Sequence, residues 1–273
     1  MSDFLVSAAN TFALDGGGPD VAALPGGRFV VAWAPEPSLD IRAQLYNADG
    51  TPAGSSFFVG SAPTFGTPDE QVSIAGLSDG RFVLAWKVED HFNQTFAVHA
   101  RIYNADGAAA GSDFVVHTPA AGQASVTGLT DGRFVVAWAG VAARIYNADG
   151  TPAGGDFIVS STANAGFQFA PSIAALPDGR FVVTWESKET GDYQIRGRLY
   201  NADSTPAGGD FLVNTTTAGD QHTPSVAALS DGRFMVTWSS PEGGSAEIRG
   251  RVYDANGTAS GGDFLVNTIA AGD

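Results

Sequence analysis

Short apolar runs rich in valine, phenylalanine and tryptophan recur along this chain, separated by turns that contain glycine or proline. The clearest copy reads Pro224-Ser-Val-Ala-Ala-Leu-Ser-Asp-Gly-Arg-Phe-Met-Val-Thr-Trp238, followed by Ile248-Arg-Gly-Arg-Val-Tyr253 and Asp263-Phe-Leu-Val-Asn267. The five tryptophans are spaced 53, 52, 47 and 53 residues apart, at Trp33, Trp86, Trp138, Trp185 and Trp238. A period of this length indicates one supersecondary unit copied five times.

In the fourth copy the pattern predicts four short strands and no helix. Ser172–Leu176 has small side chains, and Arg180–Trp185 is rich in β-branched and aromatic residues. Gln194–Tyr200 alternates between two faces, and Asp210–Asn214 follows a glycine-rich turn. The Asp-Gly pair at Asp178 predicts a type I′ hairpin between the first two strands.

A four-stranded sheet with aromatic residues on both faces needs a neighbour to cover each face. Radial stacking supplies both neighbours, so the pattern predicts an all-β, five-bladed β-propeller built from four-stranded repeats of about 53 residues. The small-residue strand fits the innermost position and the Phe-Leu-Val strand the outermost. We expect one domain over residues 1–273, with repeats near 4–56, 57–113, 114–156, 157–210 and 211–263 and an extra outer strand at 264–273.

The Phe-Leu-Val strand occurs six times, whereas the other strands occur five times. Its first copy, Phe4–Val6, and its last, Phe264–Val266, compete for one position in a closed ring. We expect one copy to complete the ring and the other to be spare. The alternatives are that the chain was cut from a longer array, or that the spare strand pairs with another molecule and produces a homo-oligomer.

The formal net charge is −15. Phosphate backbones and anionic lipids repel such a surface, so nucleic acid is not an expected partner. No segment approaches the ~20 apolar residues of a membrane span. The chain has no cysteine, which excludes disulfides and thiolate metal sites.

The repeat resembles a unit of large secreted bacterial proteins of the RTX and type I secretion kind. The matching stretches are Asp231-Gly-Arg-Phe-Met-Val-Thr-Trp238, Ile248-Arg-Gly-Arg-Val-Tyr-Asp-Ala-Asn-Gly257 and Gly262-Asp-Phe-Leu-Val-Asn-Thr268. The resemblance covers almost the whole chain and implies a secreted or cell-surface protein. Because the first residues have no basic region and no apolar stretch, we expect export without an N-terminal signal peptide. The calcium-binding nonapeptide of that family is absent, so its calcium chemistry is not carried over.

No residue pattern in the sequence predicts catalysis. The histidines fall at unrelated positions in different repeats, without triad or metal-ligand spacing: His91, His99, His117 and His222. We therefore expect no enzyme and no catalytic residues.

Asn-Ala-Asp-Gly recurs at Asn47, Asn104 and Asn147. Its oxygens could hold calcium, but a calcium loop requires more ligands, and a hairpin turn with an Asx cap explains the same residues. We expect no metal site and no cofactor, with calcium as the alternative.

Ten of the fourteen basic residues occupy two repeat positions. The second strand begins with Arg28, Arg81, Arg133, Arg180 and Arg233, and the third strand carries Arg42, Arg101, Arg144, Arg198 and Arg251. Their placement favours internal pairing with carboxylates or stacking on aromatic rings. The alternative is an inter-blade ligand pocket in every blade. Its ligand-binding candidates are the five tryptophans (Trp33, Trp86, Trp138, Trp185, Trp238) and the five third-strand arginines.

The loops between the second and third strands are acidic and differ between repeats, at 36–40, 89–96, 186–193 and 239–247. Different loops on one rim suit a single recognition site. We expect a non-catalytic extracellular binding or structural module, such as an adhesin segment or a self-assembling subunit, with a glycan or protein of the cell surface as partner. The alternatives are a multivalent carbohydrate-binding lectin and a glycan-cleaving enzyme, which requires paired carboxylates on one rim.

Overall fold

The computed structural model describes residues 18–34, 40–61, 72–90, 95–120, 122–161, 167–188, 191–241 and 247–267. Within these residues, β-strands form five antiparallel sheets of four strands each, and one 3-10 turn occupies Pro25–Gly27. This is the architecture of a five-bladed β-propeller, and it confirms the predicted fold class.

Each blade is a meander in which consecutive strands pair. Blade 1 contains β1 (Asp20–Ala23), β2 (Phe29–Trp33), β3 (Asp40–Tyr46) and β4 (Phe57–Ser61). Blade 2 contains β5 (Ser73–Gly76), β6 (Phe82–Asp90), β7 (Thr95–Tyr103) and β8 (Phe114–Ala120). Blade 3 contains β9 (Ala124–Gly128), β10 (Phe134–Trp138), β11 (Ala142–Tyr146) and β12 (Phe157–Ile158). Blade 4 contains β13 (Phe167–Ala175), β14 (Phe181–Lys188), β15 (Gln194–Tyr200) and β16 (Phe211–Leu212). Blade 5 contains β17 (His222–Ala228), β18 (Phe234–Ser240), β19 (Glu247–Tyr253) and β20 (Phe264–Leu265).

The contacts divide the chain into two compact units. Unit 1 holds blades 1 and 2 with β9 and the segments 132–136 and 146–153. Unit 2 holds the segments 129–131 and 137–145, β12, and blades 4 and 5. The expectation of a single domain over the whole chain stays a prediction.

The first strands of neighbouring blades lie against one another within each unit. In unit 1, β5 contacts both β1 and β9, and in unit 2, β13 contacts β17. The approach is so close that a Cβ atom on Gly76 would lie 2.3 Å from the carbonyl oxygen of Ala23. Small residues are therefore required in these strands, as expected for the innermost position.

The Asp-Gly hairpins differ from the predicted type I′ turn. In the turn Leu77–Arg81, Leu77 N–H donates to Arg81 O at 2.7 Å and Gly80 N–H donates to Leu77 O at 3.0 Å. Gly80 is left-handed with φ 89°, but Asp79 is not. The prediction of two left-handed residues is wrong because the loop has three residues, Ser78, Asp79 and Gly80, and a loop of this length needs only one left-handed residue. The Asp79 carboxylate accepts from Arg81 N at 3.1 Å and from Arg81 Nε at 2.7 Å, which holds the end of the loop.

The Asn-Ala-Asp-Gly segments are turns closed by their own side chains. Thr51 donates to the Asp49 carboxylate from its N–H at 3.0 Å and from its hydroxyl at 2.6 Å, and Asn47 Nδ2 donates to the Thr51 hydroxyl at 3.0 Å. The hydroxyl contact is the main reason that the pKa of Asp49 lies below its usual value. These contacts match the interpretation as a hairpin turn. In the part of the chain that the structure describes, no group of three His, Cys, Asp or Glu residues is placed to hold a metal ion.

The outer position of blade 5 is occupied by the C-terminal Phe-Leu-Val copy, since Phe264 of β20 lies opposite Gly250 of β19. The competing copy, Phe4–Val6, lies outside the described residues. Each Phe-Leu-Val strand pairs with the strand that precedes it, so this strand ends a blade; β4, for example, is the last strand of blade 1. The predicted repeats instead began at this strand. Among the described residues, no helix has the length and apolar character needed to span a membrane.

Candidate functional site

The third-strand arginines and tyrosines join neighbouring blades. In unit 2, Arg251 Nη1 and the Tyr253 hydroxyl both donate to the carbonyl oxygen of Val213 in blade 4, at 3.0 Å each. The pair Arg198 and Tyr200 binds blade 3 in the same way, and each guanidinium lies over the ring of its tyrosine. Two donors thus satisfy one carbonyl group of the preceding outer strand. Arg198 and Arg251 therefore make internal contacts, in agreement with the structural interpretation of the repeated arginines.

In blade 1 the third-strand arginine, Arg42, lies four residues before its tyrosine, whereas in the other blades it lies two residues before it. Gln44 Nε2 donates to Gly54 O at 3.0 Å, a turn contact that the Nε of an arginine makes in blades 2, 4 and 5. Arg42 instead lies directly opposite Trp33. Arg42 is therefore the counterpart of Arg196 in blade 4 rather than a member of the other arginine set.

The remaining ligand-binding candidates also lie in packed surroundings. Trp86, Trp138, Trp185 and Trp238 are buried, and Trp33 is half-buried. Trp238 Nε1 donates to Gln221 Oε1 at 3.0 Å, and Arg144 pairs with Asp156 at 2.6 Å. These contacts favour a structural role for both sets, and a ligand pocket in every blade stays a prediction.

Blade 4 departs from the repeat directly after its tryptophan, where it carries Glu186. The other repeats have neutral or basic residues at this position: Ala34, Lys87, Ala139 and Ser239. The Glu186 carboxylate is buried, accepts a hydrogen bond from Thr223 N at 2.6 Å and lies 3.1 Å from His222 Nδ1. Sequence reasoning missed the pair because its members are 36 residues apart, in different blades. The sequence does contain one signal, because Glu186 is the only carboxylate among the residues that directly follow the five tryptophans.

Thr223 has an uncommon backbone conformation, with φ 51°. For a β-branched residue that precedes a proline, this angle is strained. A bulge in β17 lies between His222 and Ser225, and a similar bulge with Ala170 at φ 48° occurs in β13. The first strands of blades 4 and 5, β13 and β17, therefore share this bulge. In blade 5 the Glu186 carboxylate accepts a hydrogen bond from the Thr223 N–H group, which lies in the bulge.

A polar cleft in blade 4 begins at the residue after Glu186. Its volume is about 440 Å³, and its lining residues are Ser187, Gly191, Asp192, Gln194, Arg196, Leu212 and Thr217. They provide a carboxylate, an amide, a guanidinium and two hydroxyls beside one leucine side chain. Such a combination of donors and acceptors matches a small ligand rich in hydroxyl groups.

Hydrogen bonds hold the two segments that form the cleft. Gly219 N–H donates to Asp192 Oδ2 at 2.7 Å, and Gln194 Nε2 donates to Thr217 O at 3.1 Å. Asn214 Nδ2 donates to Gln194 Oε1 at 2.6 Å. The polar groups are therefore positioned before any ligand arrives, which reduces the entropy lost on binding.

Tyr193 lies in the same loop and is the one tyrosine outside the repeat pattern. Its ring is half-buried and its centroid lies 5.3 Å from that of the His222 imidazole. Lys188 Nζ lies 4.6 Å from the centroid of the Tyr193 ring. The Glu186–His222 pair and this ring are thus built from residues that the repeat does not specify.

Asp20 is a second isolated carboxylate, in unit 1. It occupies a first-strand position that is serine in the other repeats: Ser73, Ser125, Ser172 and Ser225. Asp20 Oδ2 accepts from Ile74 N at 2.9 Å in the next blade, and the Ser73 hydroxyl accepts from Val126 N at 3.1 Å in the same way. Burial raises the pKa of Asp20, although backbone N–H groups oppose the shift. The site therefore combines a structural link with a carboxyl whose pKa lies above its usual value.

No protein family matches the chain, and no curated protein matches it either. Among solved structures, it is similar to a protein of unknown function from Dyadobacter fermentans, with TM-score 0.64, 15% identity, and 93% of this chain and 83% of that chain covered. It is similar to the hydrazine synthase of Kuenenia stuttgartiensis, with TM-score 0.59, 12% identity, and 97% and 70% covered. It is also similar to the α-L-arabinanase of Penicillium chrysogenum complexed with arabinobiose, with TM-score 0.57, 14% identity, and 93% and 81% covered.

These likenesses support the propeller fold and correct one expectation. Other similar structures include a GH43 protein from Bacillus licheniformis and an α-L-arabinofuranosidase from Lactobacillus brevis. The prediction that the chain is not an enzyme is therefore contradicted, because many propellers that share its fold are glycoside hydrolases. Periodic or closely spaced residues are the signals that sequence reasoning used, and Asp20 and Glu186 provide neither, since each is a carboxylate at a position that carries none in the other repeats.

Proposed function

We propose that this chain is a carbohydrate-active propeller that binds a glycan in the blade-4 cleft. The observation that carries the proposal is the cleft itself, where Asp192, Gln194, Arg196 and Thr217 surround a space of about 440 Å³. Carboxylate, amide and guanidinium groups in one rigid cleft can donate to and accept from neighbouring sugar hydroxyls simultaneously. The volume falls in the range of small-ligand sites.

Isothermal titration calorimetry with neutral oligosaccharides tests this proposal. Arabinose and xylose oligosaccharides are the first probes, because the similar arabinanase was obtained with arabinobiose. We expect one binding site per chain. A lectin with a pocket in every blade would instead bind several ligands per chain, and absence of heat with every saccharide at millimolar concentration would refute both.

The repeat provides a matched pair of variants. Arg196→Ala removes a guanidinium that lines the cleft and should weaken binding at least tenfold. Arg42→Ala changes the equivalent position of blade 1 and should leave the affinity unchanged. Equal loss in both variants would contradict a single site in blade 4.

Glycoside hydrolysis is a second candidate function, favoured by Asp20. Hydrolysis of a glycosidic bond requires two carboxyl groups, an acid that protonates the leaving oxygen and a carboxylate that attacks the sugar or activates a water molecule. A carboxyl whose pKa is raised by burial suits the first of these roles. No other repeat has a carboxylate at this position. The contact between Asp20 and Ile74 N is shared with serine residues, so it does not by itself require an acid.

Asp20→Ser separates the two roles of this residue. Serine makes the corresponding link in another repeat, so the variant should keep the wild-type melting temperature. If Asp20 is the acid, the release of reducing sugar from oligosaccharides should fall at least 100-fold. Wild-type protein that releases no sugar from any glycan would remove hydrolysis and leave the binding proposal to calorimetry.

A further inference from the structure

The side-chain amide of Gln194, in the lining of the blade-4 cleft, is oriented by its protein contacts. Gln194 Nε2 donates to the carbonyl oxygens of Thr217 at 3.1 Å and Asp192 at 3.3 Å. On the other side of the amide, Gln194 Oε1 accepts from Asn214 Nδ2 at 2.6 Å. Both amide protons are therefore engaged, and the group that Gln194 can still offer to a ligand is the second lone pair of Oε1.

Asn214 decides the orientation of that amide. Asn214 is 2% exposed, and its Oδ1 accepts from Ile195 N at 2.8 Å. Because a backbone N–H can only donate, the oxygen of the Asn214 amide must face Ile195 and its nitrogen must face Gln194. The carbonyl oxygen of Thr216 accepts from the same nitrogen at 2.8 Å and requires the same orientation. Asn214 therefore presents a donor to Gln194, which must answer with its oxygen.

Asp192, which lies beside Gln194 in the lining, also presents acceptors to a ligand. Gly219 N–H donates to Asp192 Oδ2 at 2.7 Å, and an ionised carboxylate has no proton to donate in return. Asp192 and Gln194 thus form one side of the cleft that accepts hydrogen bonds, and this pair is called the acceptor side below. A ligand that binds there must carry hydrogen-bond donors.

The charges around the cleft oppose an anionic ligand as well. Among the lining residues, Arg196 is the one cation and Asp192 the one anion, so their charges offset each other. The whole chain has a formal net charge of −15. A carboxylate on a ligand has no proton for the acceptor side and is repelled by this net charge. A sugar hydroxyl can donate to the acceptor side and accept from Arg196.

We propose that Asn214 is a positioning residue that sets the specificity of the blade-4 cleft. It holds the Gln194 amide so that the cleft takes neutral sugars through their hydroxyl donors and rejects uronic acids. This inference rests on the proposed binding of a glycan in the cleft. Blade 5 offers a comparison, because Asn267 occupies the position of Asn214 and its Oδ1 accepts from Ile248 N at 2.8 Å. The residue at the position of Gln194 is there Glu247, which has no amide to orient.

Calorimetry of the wild-type chain with neutral and acidic oligosaccharides tests the selectivity. The neutral probes are oligosaccharides of arabinose and xylose, and the acidic probes are those of galacturonic and glucuronic acid. Glucuronic acid has the ring of xylose with a carboxylate added at C5, so these two sugars are closely matched. We expect the best neutral probe to bind at least tenfold more tightly than either acidic one. A ratio below tenfold would overturn this inference and leave glycan binding intact, whereas no binding of any probe would overturn both.

Asn214→Ser and Asn267→Ser form a matched pair of variants. Serine occupies this position in blade 3, as Ser160, so both variants should fold, which melting temperatures check. Each variant loses the side-chain amide that accepts from a third-strand N–H, but only Asn214→Ser frees the Gln194 amide to turn. If Asn214→Ser does not fold, the selectivity of the wild type decides alone.

We expect Asn214→Ser to bind the neutral probe at least fivefold more weakly than the wild type and to show a smaller ratio between neutral and acidic probes. Asn267→Ser should keep the wild-type values. An unchanged ratio in Asn214→Ser would overturn the proposal, because a purely structural role would weaken both classes of sugar by the same factor. The same change of ratio in both variants would also overturn it.

Discussion

At the scale of single residues, departures from a constant repeat position separate structural from functional side chains. Gln44 replaces an arginine and keeps its contact with a turn carbonyl, so this change conserves structure. Glu186 and Asp20 introduce carboxylates where the other repeats have none. Both carboxylates also accept hydrogen bonds from backbone N–H groups of a neighbouring blade, so each combines a structural contact with a charge that the repeat does not require.

The Tyr253 hydroxyl provides a test of the joint between blades. Tyr253→Phe removes one of the two donors to Val213 O and should lower the free energy of unfolding by about 1 kcal/mol. Chemical denaturation measures this difference. Tyr193→Phe is the control, since this tyrosine lies outside the repeat, and its stability should stay within about 0.5 kcal/mol of the wild type.

The carboxylate of Glu186 should stabilise the bulge at Thr223. Glu186→Ala leaves the Thr223 N–H without its acceptor and should cost about 1–3 kcal/mol of unfolding free energy. Glu186→Gln retains an acceptor oxygen and should lose less. Thermal melts of both variants decide the matter: equal losses would mean that the negative charge, rather than the hydrogen bond, supports the bulge.

At the scale of strands, neighbouring blades approach so closely that parts of the first strand accept only small side chains. β5 lies between β1 and β9, and the chain has glycine or alanine where β1, β5 and β9 end. The same requirement explains why these strands carry few bulky residues although they are central in the fold.

Gly76→Ala should destabilise unit 1 measurably. The added methyl carbon would lie 2.3 Å from the Ala23 carbonyl oxygen, so the two strands must separate, at a cost of about 1–3 kcal/mol. Gly111→Ala is the matched control, because no atom lies within 4 Å of the corresponding position. Denaturation midpoints that shift equally in the two variants would contradict close packing of β1 and β5.

At the scale of the whole molecule, the ionisation of buried tyrosines limits stability in alkali. Burial is the main cause that raises the pKa of Tyr200 and Tyr253 to about 12. The folded state therefore keeps both hydroxyls protonated at a pH where the unfolded chain, with the usual tyrosine pKa near 10, loses its protons. The contribution of these tyrosines to stability is complete below pH 10 and decreases as the pH rises to about 12.

Melting temperatures between pH 9 and 12 test this alkaline dependence, with the ranges taken from these pKa values. We expect the melting temperature to fall across this interval. The double variant Tyr200→Phe/Tyr253→Phe should start lower and fall less steeply, because neither phenylalanine can ionise. A slope as steep as in the wild type would mean that other groups cause the alkaline loss.

The repeat pattern allowed much of the fold to be predicted. The spacing of the tryptophans gave the number of blades, and the small residues of segments such as Ser172–Leu176 indicated the innermost strand. These features are local or periodic, so five copies reinforced each signal. The hairpin type was predicted wrongly, because the loop between β5 and β6 has three residues, of which only Gly80 is left-handed.

The sequence by itself determined the all-β class, the four-strand unit and its fivefold repetition, because hydrophobic periodicity follows directly from strand geometry. Only the tertiary structure decided which residues meet: Glu186 with His222, and the residues that line the cleft of blade 4. The members of these groups are distant in the chain, and Glu186 has no carboxylate counterpart in the other repeats. Their proximity depends on how the loops and neighbouring blades pack, which no local or periodic pattern records.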